Sequence, residues 1–141
     1  MTAAERQEIL VEDYLLIEDH RERFQYLVDS GSTAGGLEPE ERREENLVPG
    51  CVSRTWLSLL PEPAGGLRVR IDSESPALHG IAALYTKVYS GASPAEIVGT
   101  EPTFLERLGI DRHLTPTRLR GLRRLREMIV ERASAFLEAK E

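Results

Sequence analysis

The chain holds a single cysteine, and it closes a turn: Val48-Pro49-Gly50-Cys51-Val52-Ser53. Pro-Gly suits the two central positions of a type II turn, because Pro presets a negative φ and Gly accepts a positive one. Cys51 then takes the last turn position, from which a side chain can project out of a loop. Two readings of it stand open. Free cysteines commonly serve as small buried hydrophobes. This one instead has Gly, Pro and Ser for neighbours and precedes a strand pattern, a setting suited to sulfur chemistry. A nucleophilic role needs a thiolate, favoured by nearby positive charge or a helix N-terminus. Arg54 is three residues on, and Arg118 is a candidate from afar. The possible bases His20, His79 and His113 are scattered, so a Cys-His triad has little support.

Arg118 is the second residue of interest. It falls in the first turn of a helix capped by Thr115, where a cation is mildly disfavoured by the helix dipole. Either it is solvated, or its guanidinium faces an anionic partner or a substrate carboxylate. Arg120, Arg123, Arg124 and Arg126 follow on polar helix positions and read as a solvated charged face. Trp56 reads as core. One Cys and three isolated His residues offer no paired ligand spacing, so neither a metal site nor a cofactor is expected. An iron–sulfur cluster held by this chain alone would need more thiolates. Gly65-Gly66 lies between two strands and opens no helix, so it is no phosphate loop.

These residues need a scaffold, and 141 residues with 40% hydrophobic and 30% charged content suffice for one globular domain over 1–141. No apolar run reaches the length of about 18 needed to span a membrane. The start, Met1-Thr2-Ala3-Ala4-Glu5-Arg6, lacks a basic-then-apolar leader, and a lone thiol forms no internal disulfide, so a reducing, cytoplasmic setting is expected. The net charge of −6 divides unevenly, −9 over residues 1–110 and +3 over residues 111–141. An acidic total argues against general nucleic-acid binding and leaves room for one local basic docking patch.

Thr2-Ala3-Ala4-Glu5 is a capping box. The helix it opens is predicted to reach about Glu18 with Ile9, Leu10, Tyr14 and Ile17 buried. Asp19 caps a second helix, through Phe24, Leu27 and Val28 to Ser30-Gly31. Residues 31–46 read as a polar loop containing Gly35-Gly36, with a short helix at Pro39. Residues 53–60 favour a strand, Pro61 to Gly66 break it, and Leu67-Arg68-Val69-Arg70-Ile71 alternates as a second strand, giving an antiparallel hairpin. Val48 ends a possible third strand. Ser75-Pro76, Ser93-Pro94-Ala95-Glu96, Thr100 or Thr103, and Thr115-Pro116 mark four more helix starts. The last helix carries the stripe Leu119, Leu122, Leu125, Ile129, Ala133 and Phe136. The order is helices, a small antiparallel sheet of about three strands, then helices packed on one face: an α+β domain.

Together the motifs resemble the SufE family of sulfur-acceptor proteins of iron–sulfur cluster assembly. Asn46-Leu47-Val48-Pro49-Gly50-Cys51-Val52-Ser53-Arg54-Thr55-Trp56 is similar to the family's N-x-V-x-G-C-x-S-x-V-W, and Asp72-Ser73-Glu74 to its D-S-D. Gly80-Ile81-Ala82-Ala83-Leu84, Tyr85 with Tyr89-Ser90-Gly91, and Pro94-Ala95-Glu96-Ile97 continue the likeness. His113-Leu114-Thr115-Pro116-Thr117-Arg118-Leu119-Arg120-Gly121-Leu122 matches H-L-(S/T)-P-(S/T)-R-x-x-G-L. The chain departs at Val52 and Arg54, where Gln is frequent, and at Pro49, where His or Gln is common.

The resemblance implies a SufE/IscU-like fold and a role as sulfur carrier, not as an independent enzyme. A pyridoxal-phosphate cysteine desulfurase of the SufS type would load Cys51 as a persulfide, and the sulfur would pass to a downstream cluster scaffold. It also implies that Cys51 is tucked toward apolar surface and swings out on docking, and that Arg118, Gly50, Ser53, Arg54 and Asp72 help hold the partner. A monomer or weak homodimer is expected, with no nucleic acid and no membrane. The alternatives are a cluster scaffold or a non-catalytic interaction module of related fold.

Overall fold

The computed structural model describes residues 1–31 and 36–139. Its first helix, α1 (Ala3–Leu15), starts at the expected capping box: Thr2 Oγ1 accepts from the Glu5 amide at 3.1 Å, and a Glu5 carboxylate oxygen accepts from the Thr2 amide at 3.0 Å. It ends before the expected Glu18. The Leu16 and Ile17 amides turn back to Asp13 O and Tyr14 O. Asp19 Oδ1 then accepts from the Arg21 and Glu22 amides and opens α2 (His20–Gly31). The buried face of α1 also differs. It runs through Ala3, Gln7, Leu10, Val11 and Tyr14, and Ile9 is exposed. A polar residue sits in that face because both ends of its amide are used: Gln7 Nε2 donates to Glu101 O, and Gln7 Oε1 accepts from the Phe104 amide. Gly35, part of the loop read from sequence, lies outside the described residues.

Two 3-10 turns, Pro39–Glu41 and Glu44–Asn46, precede the hairpin β1 (Thr55–Pro61) and β2 (Leu67–Ser73). The strands pair antiparallel from Thr55↔Ser73 to Pro61↔Leu67. The third strand expected near Val48 shrinks to one bridge, Leu47↔Trp56, so the sheet has two strands. The tight turn ending at Asn46 precedes this segment, and Pro49, which lacks an amide donor, follows it. Only the Val48 amide continues the pairing, to Thr55 O at 2.8 Å.

Helix α3 (Pro76–Tyr89) starts at the Ser75 cap and is buried along most of its length, packed on β2 and against α1 and α2. Helices α4 (Pro94–Gly99) and α5 (Phe104–Arg107), with a 3-10 turn at Ile110–His113, lead to α6 (Pro116–Ala139). The α4 capping box forms as expected. Of the two threonines proposed to cap α5, Thr103 stands at the cap position but makes no side-chain cap bond. Along α6, Leu122, Leu125, Ile129 and Ala133 are buried, while Leu119 and Phe136 at the two ends are half-buried.

Arg126 does not belong to the solvated face. It is buried, donates to Ile97 O and Val98 O at 2.9 Å each, and lies over the Tyr89 ring. Burying a guanidinium is tolerable here because it satisfies the free carbonyls at the C-terminal end of α4. Trp56 is buried as expected, with the Arg42 guanidinium above its ring. No helix among the described residues is long and apolar enough to cross a membrane.

Candidate functional site

The loop from Val48 to Arg54 connects the bridge at Leu47 to β1 and lies over the N-terminal half of α6. Gly50 has φ +82°, the left-handed value that only glycine adopts without strain, which confirms the Pro-Gly turn. The turn lies against Arg124 of α6, whose Cγ is 3.7 Å from where a Gly50 Cβ would stand. One residue later the Cys51 side chain turns inward. Its Sγ donates to the Gly121 carbonyl at 3.8 Å, a weak contact. A Cβ on Gly121 would stand only 3.0 Å from that sulfur. Glycine inside a helix costs about 1 kcal/mol relative to alanine, and here it admits the sulfur.

Around Cys51 stand Thr55 and Ile71 of the hairpin, Leu78 and Ala82 of α3, and Leu122 and Leu125 of α6. The free space among them is only about 10 Å³. Cys51 is therefore half-buried in an apolar seat. Burial pushes its thiol above the ordinary cysteine value, and the neighbouring Thr55 hydroxyl pulls the other way without prevailing. In this position the sulfur is a protonated, poor nucleophile.

The cation expected to stabilise a thiolate is not part of this seat. Arg54 is exposed. Arg118 is half-buried and donates from Nη1 to Ser75 Oγ at 2.7 Å, tying the start of α6 to the cap of α3. It is thus neither the freely solvated arginine nor one already facing an anion. It stands one helical turn before Gly121, which places it beside the Cys51 seat. None of the three histidines lines that seat: His79 meets Asp72 at 3.1 Å, and His20 and His113 meet each other at 3.1 Å. Ser53 is half-buried with its carbonyl accepting from Thr55 Oγ1, and Val52, beside the cysteine, is 75% exposed.

Asp72, taken from sequence as a partner contact, is 3% exposed and internal. Its carboxylate accepts from the Leu37 and Ser73 amides, from Arg42 Nη2 at 2.5 Å, and faces His79 Nδ1. Burial pushes this carboxyl up, but the Arg42 ion pair and the two amides outweigh it and hold it below the usual range. Asp72 binds the segment before the cysteine loop to the hairpin, and any effect on a partner passes through that loop.

Arg132 of α6 clamps the same segment from the other side, donating to Asn46 Oδ1, Leu57 O and Glu45 O. Gly121, Thr55, Arg42 and Arg132 were not singled out from sequence. An isolated glycine within a helical pattern was the available signal for the first. The others required knowing which segments meet. Among the described residues no group of three or more His, Cys, Asp or Glu is arranged to hold a metal ion.

The model of the family described as "SufE: Fe-S metabolism associated domain" matches residues 8–133. Among solved structures, the chain is similar to the solution structure of a hypothetical protein from Thermus thermophilus. The TM-score is 0.78 at 20% sequence identity, over 98% of this chain and 99% of that one. At that identity the likeness establishes the shared α+β fold.

Proposed function

The chain belongs to the SufE family, associated with iron–sulfur metabolism, and on that premise we propose that it is a sulfur carrier whose acceptor atom is Cys51 Sγ. The observation that supports this most is the seat itself. The only thiol in the chain is mounted on a glycine turn, held by one weak hydrogen bond, and backed by a frame that Asp72 and Arg132 tie together. Such a group is shielded from oxidation at rest and needs little energy to leave.

The donor is a pyridoxal-phosphate cysteine desulfurase carrying a persulfide on its own cysteine. Once outside the apolar seat, Cys51 loses its thiol proton to solvent. The thiolate attacks the outer, sulfane sulfur of the donor. A new S–S bond forms at Cys51 as the donor S–S bond breaks, and the departing donor thiolate takes up a proton. Sulfur changes carrier with no net oxidation or reduction. Val52 and Arg54 are the exposed side chains next to the cysteine and would meet the desulfurase first, with Gly50 as the pivot. Arg118, already beside the seat, would exchange its Ser75 partner for an acidic group of the desulfurase. A downstream scaffold for cluster assembly would then receive the sulfur.

The test is intact-protein mass after incubation with such a desulfurase and free cysteine. The expected result is a gain of one sulfur atom, removed by reductant and absent in Cys51→Ser. An unchanged wild-type mass, or an equal gain in Cys51→Ser, would overturn the assignment.

A further inference from the structure

The seat that holds Cys51 has room for a thiol and for little else. Sγ donates to the Gly121 carbonyl at 3.8 Å. A Cβ on Gly121 would stand 3.0 Å from that sulfur, so α6 comes as close as a glycine allows. Ile71, Leu78, Ala82, Leu122 and Leu125 close the other sides, and the free space among them is about 10 Å³. That is barely the room of one water molecule, and a sulfur atom is larger than a water oxygen.

Loading changes what must fit. A persulfide carries a second sulfur about 2.05 Å beyond the first. Set where the S–H bond points, that atom would come to about 2 Å from the Gly121 oxygen, far inside contact distance. The rest of the seat is too small for it. The walls do not yield freely, because overfilling a packed interior forces side chains off their preferred rotamers. The loop is the softer element. Its two ends are held, by the Val48 amide on Thr55 O and the Glu74 amide on Arg54 O. Between them, Pro49, Gly50, Cys51 and Val52 make no backbone hydrogen bond to any other described residue.

We propose that the seat senses loading: it closes over the Cys51 thiol and excludes the Cys51 persulfide. The loaded side chain stays outside and presents its outer sulfur. An acceptor thiolate then attacks that sulfur, the S–S bond at Cys51 breaks, and the Cys51 thiolate takes up a proton and returns to the seat. The inference rests on Cys51 as the sulfur acceptor, and the size of the seat carries it.

The test loads the full chain without an enzyme. Cys51 is converted to an aryl mixed disulfide, and hydrosulfide displaces the aryl thiolate to leave the persulfide. A desulfurase that failed to load the chain would therefore leave this test standing. Iodoacetamide is added to the thiol and persulfide forms, folded and in urea, and the product is read by intact mass. Amide signals of Ala82, Gly121 and Leu122 are compared between the two folded forms. The folded thiol should react at least about tenfold more slowly than the unfolded thiol, whereas the folded persulfide should react within about twofold of its unfolded rate. The amide signals should shift on loading. Ile71→Val and Leu78→Ala enlarge the seat, and at least one of them should slow the folded persulfide about threefold or more. A folded persulfide as protected as the thiol, a folded thiol no slower than the unfolded one, seat signals unmoved by loading, or unaltered persulfide reactivity in both enlarged seats would overturn the proposal.

Discussion

The two ends of the segment 37–54 are held in opposite ways. At one end, Asp72 receives two backbone amides and an arginine and faces a histidine, all around one buried carboxylate. At the other end, Cys51 is held by apolar contact and one long S–H···O bond to Gly121. The first arrangement is costly to open because releasing it leaves the buried Asp72 carboxylate and the buried Leu37 amide without each other. The second strands nothing when it opens: the Gly121 carbonyl belongs to a helix, and the thiol is a weak donor. A carrier needs this division, with a frame that keeps its place while one side chain travels.

The comparison can be broken at its rigid end first. Asp72→Ala should lower the unfolding free energy by about 1–3 kcal/mol in denaturant melts, since it leaves the buried Leu37 and Ser73 amides unsatisfied while the exposed Arg42 guanidinium passes to water. The same carboxyl gives a pH signature. Its folded value lies below the unfolded one, so its contribution is complete above the ordinary aspartate range and is lost as pH falls through the depressed value. Acid unfolding of wild type should therefore be steeper than that of Asp72→Asn. A loss under about 0.5 kcal/mol in Asp72→Ala would remove the contrast between the two ends.

Arg118→Ala should cost about 1 kcal/mol, the worth of one net hydrogen bond to Ser75. It should weaken stimulation of the desulfurase well beyond what that loss explains. Gly121→Ala sharpens the loose end. The helix gains up to about 1 kcal/mol of propensity, while the new methyl presses on the Cys51 sulfur, so alkylation of Cys51 should quicken severalfold in a protein that is no less stable. Unchanged alkylation would mean that the seat yields in another direction. The smallest effect is expected from Cys51→Ser: stability within about 1 kcal/mol of wild type.

Much of the frame was legible in the residues. The caps at Thr2, Ser75, Ser93 and Thr115 are local chemistry, a side-chain oxygen meeting an amide within three positions, and each forms as read. The Pro49-Gly50 turn was legible for the same reason. Contacts between distant segments were not. Arg126 looked like one more member of a charged helix face, and only the arrival of the α4 carbonyls beside α6 makes it a buried anchor. Asp72 looked like a residue for a partner until Leu37 and Arg42 closed over it. The third strand failed because a bridge at Leu47 is bounded by a turn and a proline, and pairing propensity does not overcome a missing donor.

The apolar seat also predicts a pH trend at Cys51. A thiol whose folded value is raised favours the closed loop at low and neutral pH, and that preference is lost as pH rises from the ordinary cysteine value through the raised one. The measurement that bears most directly on the account is therefore the alkylation rate of Cys51 at neutral pH, in the free protein, in the unfolded chain and beside a cysteine desulfurase. The account predicts slow reaction in the free protein, fast reaction in the unfolded chain, and a marked acceleration when the desulfurase is added. A free protein that reacts as fast as the unfolded chain, or a rate that the desulfurase does not raise, would contradict it.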